Sequence, residues 1–152
     1  MKRLPFALIL ILAAACASSN SQSGKTRKPD PAIEIEQLVG PAELNYPRGP
    51  IEVQYQLTIQ NPTPQPITLT RVEVATLNSQ GAAYTLRRDF YNVKRTIAPN
   101  ATEAVTFWAK AFSYGRSMRD TEPITLRAIV YFDSPEGNFQ KIFMRELPQY
   151  GQ

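Results

Sequence analysis

Residues Ile51–Gln60 read IEVQYQLTIQ. Apolar and polar residues alternate along it without a break, and this is the period of a β-strand with one buried and one solvated face. The residues that follow, NPTPQ at positions 61–65, cannot continue a hydrogen-bonded ladder, because proline has no N–H donor and a fixed φ angle. The sequence therefore predicts a long strand that ends in a turn.

The same period of two recurs along the chain from Ala32 onward. The further alternating segments are 33–36, 67–74, 84–86, 105–109 and 124–132. A short, less regular strand is expected at 90–93, and a last strand follows the final turn at 139–144. Within 67–74 the apolar phase slips by one residue, which predicts a β-bulge near Thr70-Arg71, since the second half would otherwise turn its apolar side outward. No segment after residue 31 has the apolar stripe of an amphipathic helix. The pattern predicts an all-β fold, a single antiparallel β-sandwich of about 7–8 strands.

Three turn-containing segments carry a family resemblance. They are Ile59–Pro64 with Pro66–Leu69 and Val72, then Ile97–Thr102 with Val105 and Phe107, and finally Pro123–Phe139. These segments resemble the strand-turn-strand, the proline-containing corner and the last hairpin of late-embryogenesis-abundant type 2 domains, also called WHy domains. The chain departs from that family in lacking a glycine soon after Val74. The resemblance implies an immunoglobulin- or fibronectin-III-like fold and brings no catalytic residues.

The amino terminus has the features of an export signal. Met1-Lys2-Arg3 is followed by an uncharged run from Leu4 to Ala15, which is too short to span a bilayer, since that needs about 20 apolar residues. The segment LAAA before Cys16 resembles the lipobox of bacterial lipoproteins, whose cysteine receives a diacylglycerol before cleavage. The alternative is cleavage nearby by a type I signal peptidase, which would leave a soluble protein with a free thiol. We predict lipidation of Cys16, because an unpartnered cysteine is uncommon in exported proteins.

These features divide the chain into four parts. We expect a signal peptide at 1–15, a lipidated cysteine with a disordered tether at 16–31, the β-sandwich at 32–147 and a tail at 148–152. The tether is rich in Ser, Pro and basic residues and has no face to bury. Its cations could touch anionic lipid, or it is simply a solvated linker. Ala17 stands where an Asp would retain such lipoproteins at the inner membrane. If the cell is Gram-negative, the absence of this Asp implies delivery to the outer membrane, on its periplasmic or surface face.

Composition argues against several classes of function. The net charge is +4, and removing Lys2 and Arg3 lowers it to +2, which is weak for a nucleic-acid binder, so we expect no nucleic-acid partner. The chain has no histidine, and therefore lacks the commonest general base and zinc ligand. Its one cysteine cannot form an intramolecular disulfide and is assigned to lipid. We expect no catalytic residues, no metal and no cofactor.

Paired carboxylates are the remaining basis for catalysis. Asp120 with Glu122, or Asp133 with Glu136, could in principle serve a hydrolase, although ordinary loop positions explain both pairs more simply. Calcium binding at Asp133, Glu136 and Asn138 would lack the repeated oxygen ligands of a calcium loop.

The segment 112–121, FSYGRSMRDT, fits a sandwich least well. We expect an irregular loop, long for a compact β domain and of a composition enriched at protein interfaces. Tyr114, Arg116 and Arg119 are the interface candidates. The alternative is a loop or single helical turn that packs Phe112 and Met118 over the open end of the sandwich. Two basic pairs, Arg87-Arg88 and Lys94-Arg95, are expected on edge-like strands, where they would discourage aggregation.

The leading hypothesis is a non-enzymatic, lipid-anchored protein of the cell envelope. It would contact the membrane through its lipid, and an envelope protein or polymer through its β-sandwich. A second hypothesis is a stress-protective domain of the WHy kind that acts on membranes or unfolded proteins. A third is a carboxylate-dependent hydrolase.

Overall fold

The computed structural model describes residues 28–77, 82–115 and 123–147. Within these ranges eight strands form two antiparallel four-stranded sheets. The strands are β1 (Ala32–Val39), β2 (Arg48–Gln60), β3 (Ile67–Thr76), β4 (Tyr84–Leu86), β5 (Asp89–Ile97), β6 (Thr102–Tyr114), β7 (Ile124–Asp133) and β8 (Phe139–Leu147). One sheet has the order β1-β2-β6-β4 and the other β5-β3-β7-β8. The prediction of an all-β, immunoglobulin-like antiparallel sandwich of about 7–8 strands is confirmed.

The alternation along Ile51–Gln60 follows from the packing of the two sheets. Val53, Tyr55, Leu57 and Ile59 on β2 are fully buried, because the odd-numbered positions face the other sheet. The facing sheet contributes Ile67, Leu69, Val72, Val74, Leu126, Ala128, Val130 and Phe132 to the same core. Burial of each such aliphatic or aromatic side chain stabilises the fold by about 1.5–3 kcal/mol. The core is thus a single apolar layer between the sheets.

The predicted bulge in β3 is present. The register of β3 shifts between Leu69 and Arg71 against both of its neighbours, β5 and β7. Thr70, at the shift, donates a hydrogen bond from its hydroxyl to the carbonyl of Tyr131, with 3.1 Å between the oxygens. Because of the extra residue, Leu69 and Val72 both face the core.

Asn61 holds the turn after β2 against the turn after β5. Its side chain is buried, and its amide nitrogen donates to the carbonyls of Gln65 at 2.8 Å, Ala98 at 3.1 Å and Ile97 at 3.4 Å. Its Oδ1 accepts from both the N–H and the hydroxyl of Thr63. One amide thereby fastens together two of the segments that carry the family resemblance.

Two expectations about strand boundaries were wrong. β6 continues to Tyr114, so Phe112, Ser113 and Tyr114 extend a strand where a loop was expected. They pair with Pro50, Gly49 and Arg48 of β2, and the polar Ser113 takes an inward, buried position that hides the alternation. β5 is a regular strand of nine residues, although the segment around Phe90 and Val93 had suggested a short, irregular one.

The chain that precedes β1 lies against β8. Lys141 forms an ion pair with Asp30 at 2.6 Å and donates to the carbonyl of Pro31 at 2.7 Å. Pro29 and Pro31 are buried. Residues 28–31, which were expected to belong to the disordered tether, are therefore held on the sandwich by these contacts. We call this end of the sandwich, where β1 and β8 begin and β2 ends, the tether end, and the opposite end the far end.

Several predictions concern residues outside the described ranges. They are the signal peptide 1–15, the lipidation of Cys16, the tether up to residue 27 and the tail 148–152. Within the described ranges no helix is long and apolar enough to cross a bilayer.

Candidate functional site

A groove with a volume of about 900 Å³ lies at the far end of the sheet β1-β2-β6-β4. Its apolar lining includes Leu44, Pro50, Trp108 and Phe112. Trp108 and Phe112 are each 46% exposed, and Leu44 is 38% exposed. We call this surface the outer groove. Large apolar side chains that share one concave, solvent-exposed surface are typical of a binding site.

The aromatic side of the outer groove comes from one face of β6. Positions 107, 109, 111 and 113 point into the sandwich, so Trp108, Lys110, Phe112 and Tyr114 point outward. The rings of Phe112 and Tyr114 meet edge to face, with their centroids 5.8 Å apart. Tyr114 also places its hydroxyl 3.3 Å from that of Thr85. The outward face of β6 thus carries three aromatic residues around one lysine.

The opposite side comes from β2 and the turn before it. Pro50 pairs with Phe112 across the ladder, and Glu52 pairs with Lys110. The turn 40–47 is held by backbone hydrogen bonds from Leu44 to Gly40 and from Tyr46 to Pro41, and Gly40 donates to the carboxylate of Glu43. This compact turn places Leu44 in the lining of the groove.

The third side of the outer groove is the crossover between β4 and β5, where the chain passes from one sheet to the other. A buried carboxylate holds this crossover in place. Glu73 on β3 is 2% exposed and accepts a hydrogen bond from Nε of Arg88 at 2.5 Å. Arg127 lies 4.0 Å from the same oxygen, and the Tyr131 hydroxyl lies 3.4 Å from the other. A buried carboxylate requires such partners, because an unpaired charge in the interior is strongly destabilising.

This crossover positions Arg87 in the outer groove. Its N–H donates to the carbonyl of Lys110 at 3.3 Å, while its side chain lines the groove. The expectation that Arg87-Arg88 lies on an edge-like strand was wrong: both residues lie between β4 and β5, and Arg88 neutralises Glu73. Lys94-Arg95, in contrast, does lie on an edge strand, β5, and Arg95 pairs with Glu103 at 3.1 Å.

The charges of the outer groove are unbalanced. Arg87 and Lys110 supply two positive charges and Glu52 one negative charge. None of these three residues forms an ion pair with any residue that the structure describes. The groove therefore combines apolar surface with a surplus of positive charge, which suits a ligand that carries both an apolar group and a carboxylate.

Two hydrogen-bonded tyrosines support the sheet from the core. The hydroxyl of Tyr55 donates to that of Tyr84 at 2.6 Å, and Tyr84 in turn donates to Oε1 of Gln37. Burial raises the pKa of Tyr55 well above its ordinary value of 10.0. Nearer the groove, the Tyr91 hydroxyl accepts a hydrogen bond from the N–H of Lys110 at 3.2 Å, and partial burial raises the pKa of Tyr91.

Of the three predicted interface residues, the structure describes Tyr114, which borders the outer groove through Phe112 and Thr85. Arg116 and Arg119 lie outside the described residues, as do Cys16 and the carboxylates Asp120 and Glu122. Within 28–77, 82–115 and 123–147 no group of three or more His, Cys, Asp or Glu side chains could hold a metal ion. Asp133 and Glu136 are exposed beside the turn between β7 and β8.

Sequence reasoning missed Leu44, Glu52, Trp108 and Lys110 as parts of the site. Trp108 did carry a signal. It occupies a position that the alternation of 105–109 assigns to the solvated face, where a tryptophan is costly unless it meets a partner. Leu44 carried no such signal, since a single leucine in a turn is ordinary.

Comparison with known proteins finds similarity at the level of the fold. No family model and no curated protein matches the sequence. A structure solved as a target of the Northeast Structural Genomics Consortium is 16% identical at a TM-score of 0.51, over 81% of this chain and 88% of its own. The GAE domain of GGA2p from Saccharomyces cerevisiae is 13% identical at a TM-score of 0.51, over 81% and 94%.

A protein assigned to the late embryogenesis abundant (LEA) group is also similar. It is 12% identical at a TM-score of 0.48, over 86% of this chain and 77% of its own. At identities this low, the comparisons concern the β-sandwich alone.

Proposed function

We propose that this chain is a non-enzymatic, lipid-anchored binding protein of the cell envelope whose outer groove holds a partner protein. The observation that carries the proposal is the exposure of Trp108 and Phe112 side by side with Arg87 and Lys110. Aromatic and arginine side chains are the residues most enriched in protein interfaces, where they contribute most of the binding energy.

The position of the groove is compatible with an anchor at the amino terminus. Residues 28–31 leave the sandwich at the tether end, and Pro50 lies ten positions from the tether-end residue Gln60 on the same strand. At about 3.3 Å per residue this separates the two by roughly 33 Å. A lipid at Cys16 would therefore hold the sandwich with the outer groove on the side remote from its attachment.

Two double variants test the groove. Trp108→Ala with Phe112→Ala removes two exposed rings of the groove, whereas Ile142→Ala with Met144→Ala removes two exposed apolar side chains from β8 on the other sheet. We expect the first pair to abolish the partner adducts that formaldehyde crosslinking yields in intact cells, and the second pair to leave them unchanged. The proposal would be abandoned if both double variants kept the same adducts while remaining folded.

The other hypotheses predict different results. If the partner is an envelope polymer, the purified chain will co-sediment with that polymer and lose this property in the groove variant. A stress-protective WHy-like domain predicts that a deletion strain survives desiccation poorly, with no dependence on the groove. A carboxylate-dependent hydrolase predicts turnover that is lost when Asp120 or Glu122 is changed.

A further inference from the structure

The strand β6 has one edge that is only partly covered. On one side it pairs with β2 along its whole length, from Thr102 to Tyr114. On the other side it pairs with β4 at three positions, 111–113. The remaining part of that side carries no strand among the described residues. We call Ala104–Trp108 on this side the open edge.

The backbone groups that face the open edge can be assigned from hydrogen bonds at its end. The N–H of Lys110 bonds to Tyr91 and its carbonyl accepts from Arg87, so both groups point away from β2. In an antiparallel ladder, residues alternate in the side to which their N–H and C=O point. The register with β2 runs without a shift, so Ala104, Thr106 and Trp108 point to the open edge as well. No backbone hydrogen bond to another described residue is formed there.

The open edge also lacks the charges that protect the other sheet edges. The edge strand β1 carries Glu34 and Glu36, β5 carries Lys94 and Arg95, and β8 carries Lys141 and Arg145. Proteins commonly place such charges on exposed edges to prevent pairing with other chains. Residues 104–108 read AVTFW and contain no charge. The edge is thus uncharged where it runs alongside the groove.

Below the open edge the sandwich is closed by aromatic contacts. Tyr91 of β5 packs its ring 5.2 Å from that of Phe107, and Arg95 is paired with Glu103. These contacts join β5 to β6 between the two sheets, so we expect an added strand to lie in the plane of β6, in line with β4. The side chain of Trp108 belongs to both the edge strand and the outer groove, and this joins the two surfaces.

We propose that one extended peptide segment of a partner protein adds as a strand to the open edge and reaches the outer groove. This rests on the proposed function and specifies the chemistry of the partner. Its main chain pairs with Thr106 and Trp108, its apolar side chains cover Trp108 and Phe112, and an acidic side chain meets Arg87 and Lys110. The surplus positive charge of the groove favours an acidic residue in the peptide. Addition of a strand to a sheet edge is an established mode of peptide recognition.

Selection of peptides on the full chain supplies a probe. Random twelve-residue peptides displayed on phage are expected to yield binders in which apolar residues alternate with others and an Asp or Glu is present. The selected peptide should slow hydrogen exchange at the amides of Thr106 and Trp108. The amides of Val105 and Phe107, already paired with β2, serve as internal controls. Failure to select any peptide, or protection at neither edge amide, would overturn the proposal.

Thr106→Pro tests the main-chain pairing directly. Proline removes the N–H that faces the open edge and leaves the ladder to β2 intact, which is the setting in which an edge proline is tolerated. We expect the affinity for the selected peptide to fall at least about tenfold, and Thr106→Val, which keeps the N–H, to change it by less than about twofold. If the proline variant does not fold, peptides N-methylated at alternate residues replace it, and methylation at the paired residues should cause the same loss.

The outcomes separate this inference from the proposed function. If the groove variant with Trp108→Ala and Phe112→Ala loses the peptide while Thr106→Pro binds it normally, the groove binds peptides without strand addition, and this inference falls while the function stands. If sedimentation shows that the chain dimerises and that Thr106→Pro abolishes the dimer, the open edge takes a second copy of this chain, which also overturns the inference.

Discussion

The side chain of Asn61 joins the turn after β2 to the turn after β5 at the tether end. The segment NPTPQ predicted a turn, because two prolines interrupt the ladder. It did not predict that the Asn61 side chain would bond to Ile97 and Ala98, which lie 36 and 37 positions away. Such contacts depend on the packing of two turns at the tether end, and no local pattern encodes them. The same is true of Glu73, whose partners come from β7 and from the crossover after β4.

The buried hydroxyl of Tyr55 leads to a prediction about stability and pH. Tyr55→Phe removes the donor to Tyr84, so the free energy of unfolding at neutral pH should fall by about 1 kcal/mol. Because burial raises the pKa of Tyr55 in the folded state, the folded chain holds its proton more tightly than the unfolded chain. The stability that this provides is present below the unfolded pKa of about 10 and is lost as the pH rises above it.

Urea titrations between pH 7 and pH 11 measure this effect. The wild type should lose stability above pH 10 more steeply than Tyr55→Phe. Tyr114→Phe, which removes an exposed hydroxyl, should keep the steep alkaline loss, because Tyr55 still titrates. Parallel curves for the wild type and Tyr55→Phe would contradict the assignment.

Among the strands, β6 was predicted correctly as a strand, but its predicted end was too early. The alternation of 105–109 identified the strand, but the segment after it contained aromatic, polar and glycine residues that suggested a loop. The strand continues because Phe112 and Ser113 pair with both β2 and β4, and the N–H of Tyr114 bonds to the carbonyl of Ala83 just before β4. Because a loop was expected after residue 109, the aromatic side of the outer groove could not be predicted. Trp108, Phe112 and Tyr114 share one face only if all three lie on one strand.

The ion pair between Arg88 and Glu73 predicts how much the crossover between β4 and β5 contributes to stability. Arg88→Met should lower the free energy of unfolding by about 2–4 kcal/mol, because it leaves the buried Glu73 carboxylate with weaker partners. The matched control is Arg95→Met, which breaks the more exposed pair with Glu103 and should cost less than about 1 kcal/mol. Thermal or urea unfolding of both variants measures the difference.

A further variant identifies the cause of the loss. Combining Arg88→Met with Glu73→Gln should recover part of the stability, since the neutral amide no longer needs a cation. Equal costs for Arg88→Met and Arg95→Met, or no recovery in the double variant, would show that the Glu73 pair does not hold the crossover.

At the scale of the whole molecule, the fold class and the number of strands followed from the period of two and from the turns. The order of the strands in each sheet did not, because nothing local in the sequence specifies that β4 pairs with β6 while β5 pairs with β3. The outer groove exists only through that order, which brings Pro50, Arg87 and Phe112 together. The sequence could therefore predict a sandwich but not the outer groove.

We also predict that a lipid at Cys16 attaches the whole molecule to the membrane. Cys16→Ser should abolish incorporation of labelled palmitate and move the chain from the membrane fraction to the soluble fraction, because serine cannot form the thioether. Ala17→Ser leaves the cysteine intact and should retain both the label and the membrane association. An unlabelled wild-type chain in the soluble fraction would refute the lipid anchor.

We expect the outer groove to contact a partner protein in the cell. A photo-crosslinking residue, p-benzoylphenylalanine, tests this when it is placed at Phe112 in the groove or at Met144 on the outer face of the other sheet, where the side chain is 65% exposed. Irradiation of intact cells should yield one defined protein adduct from position 112 and none of the same mass from position 144. No adduct from position 112, or the same adduct from both positions, would show that the outer groove does not bind a specific partner.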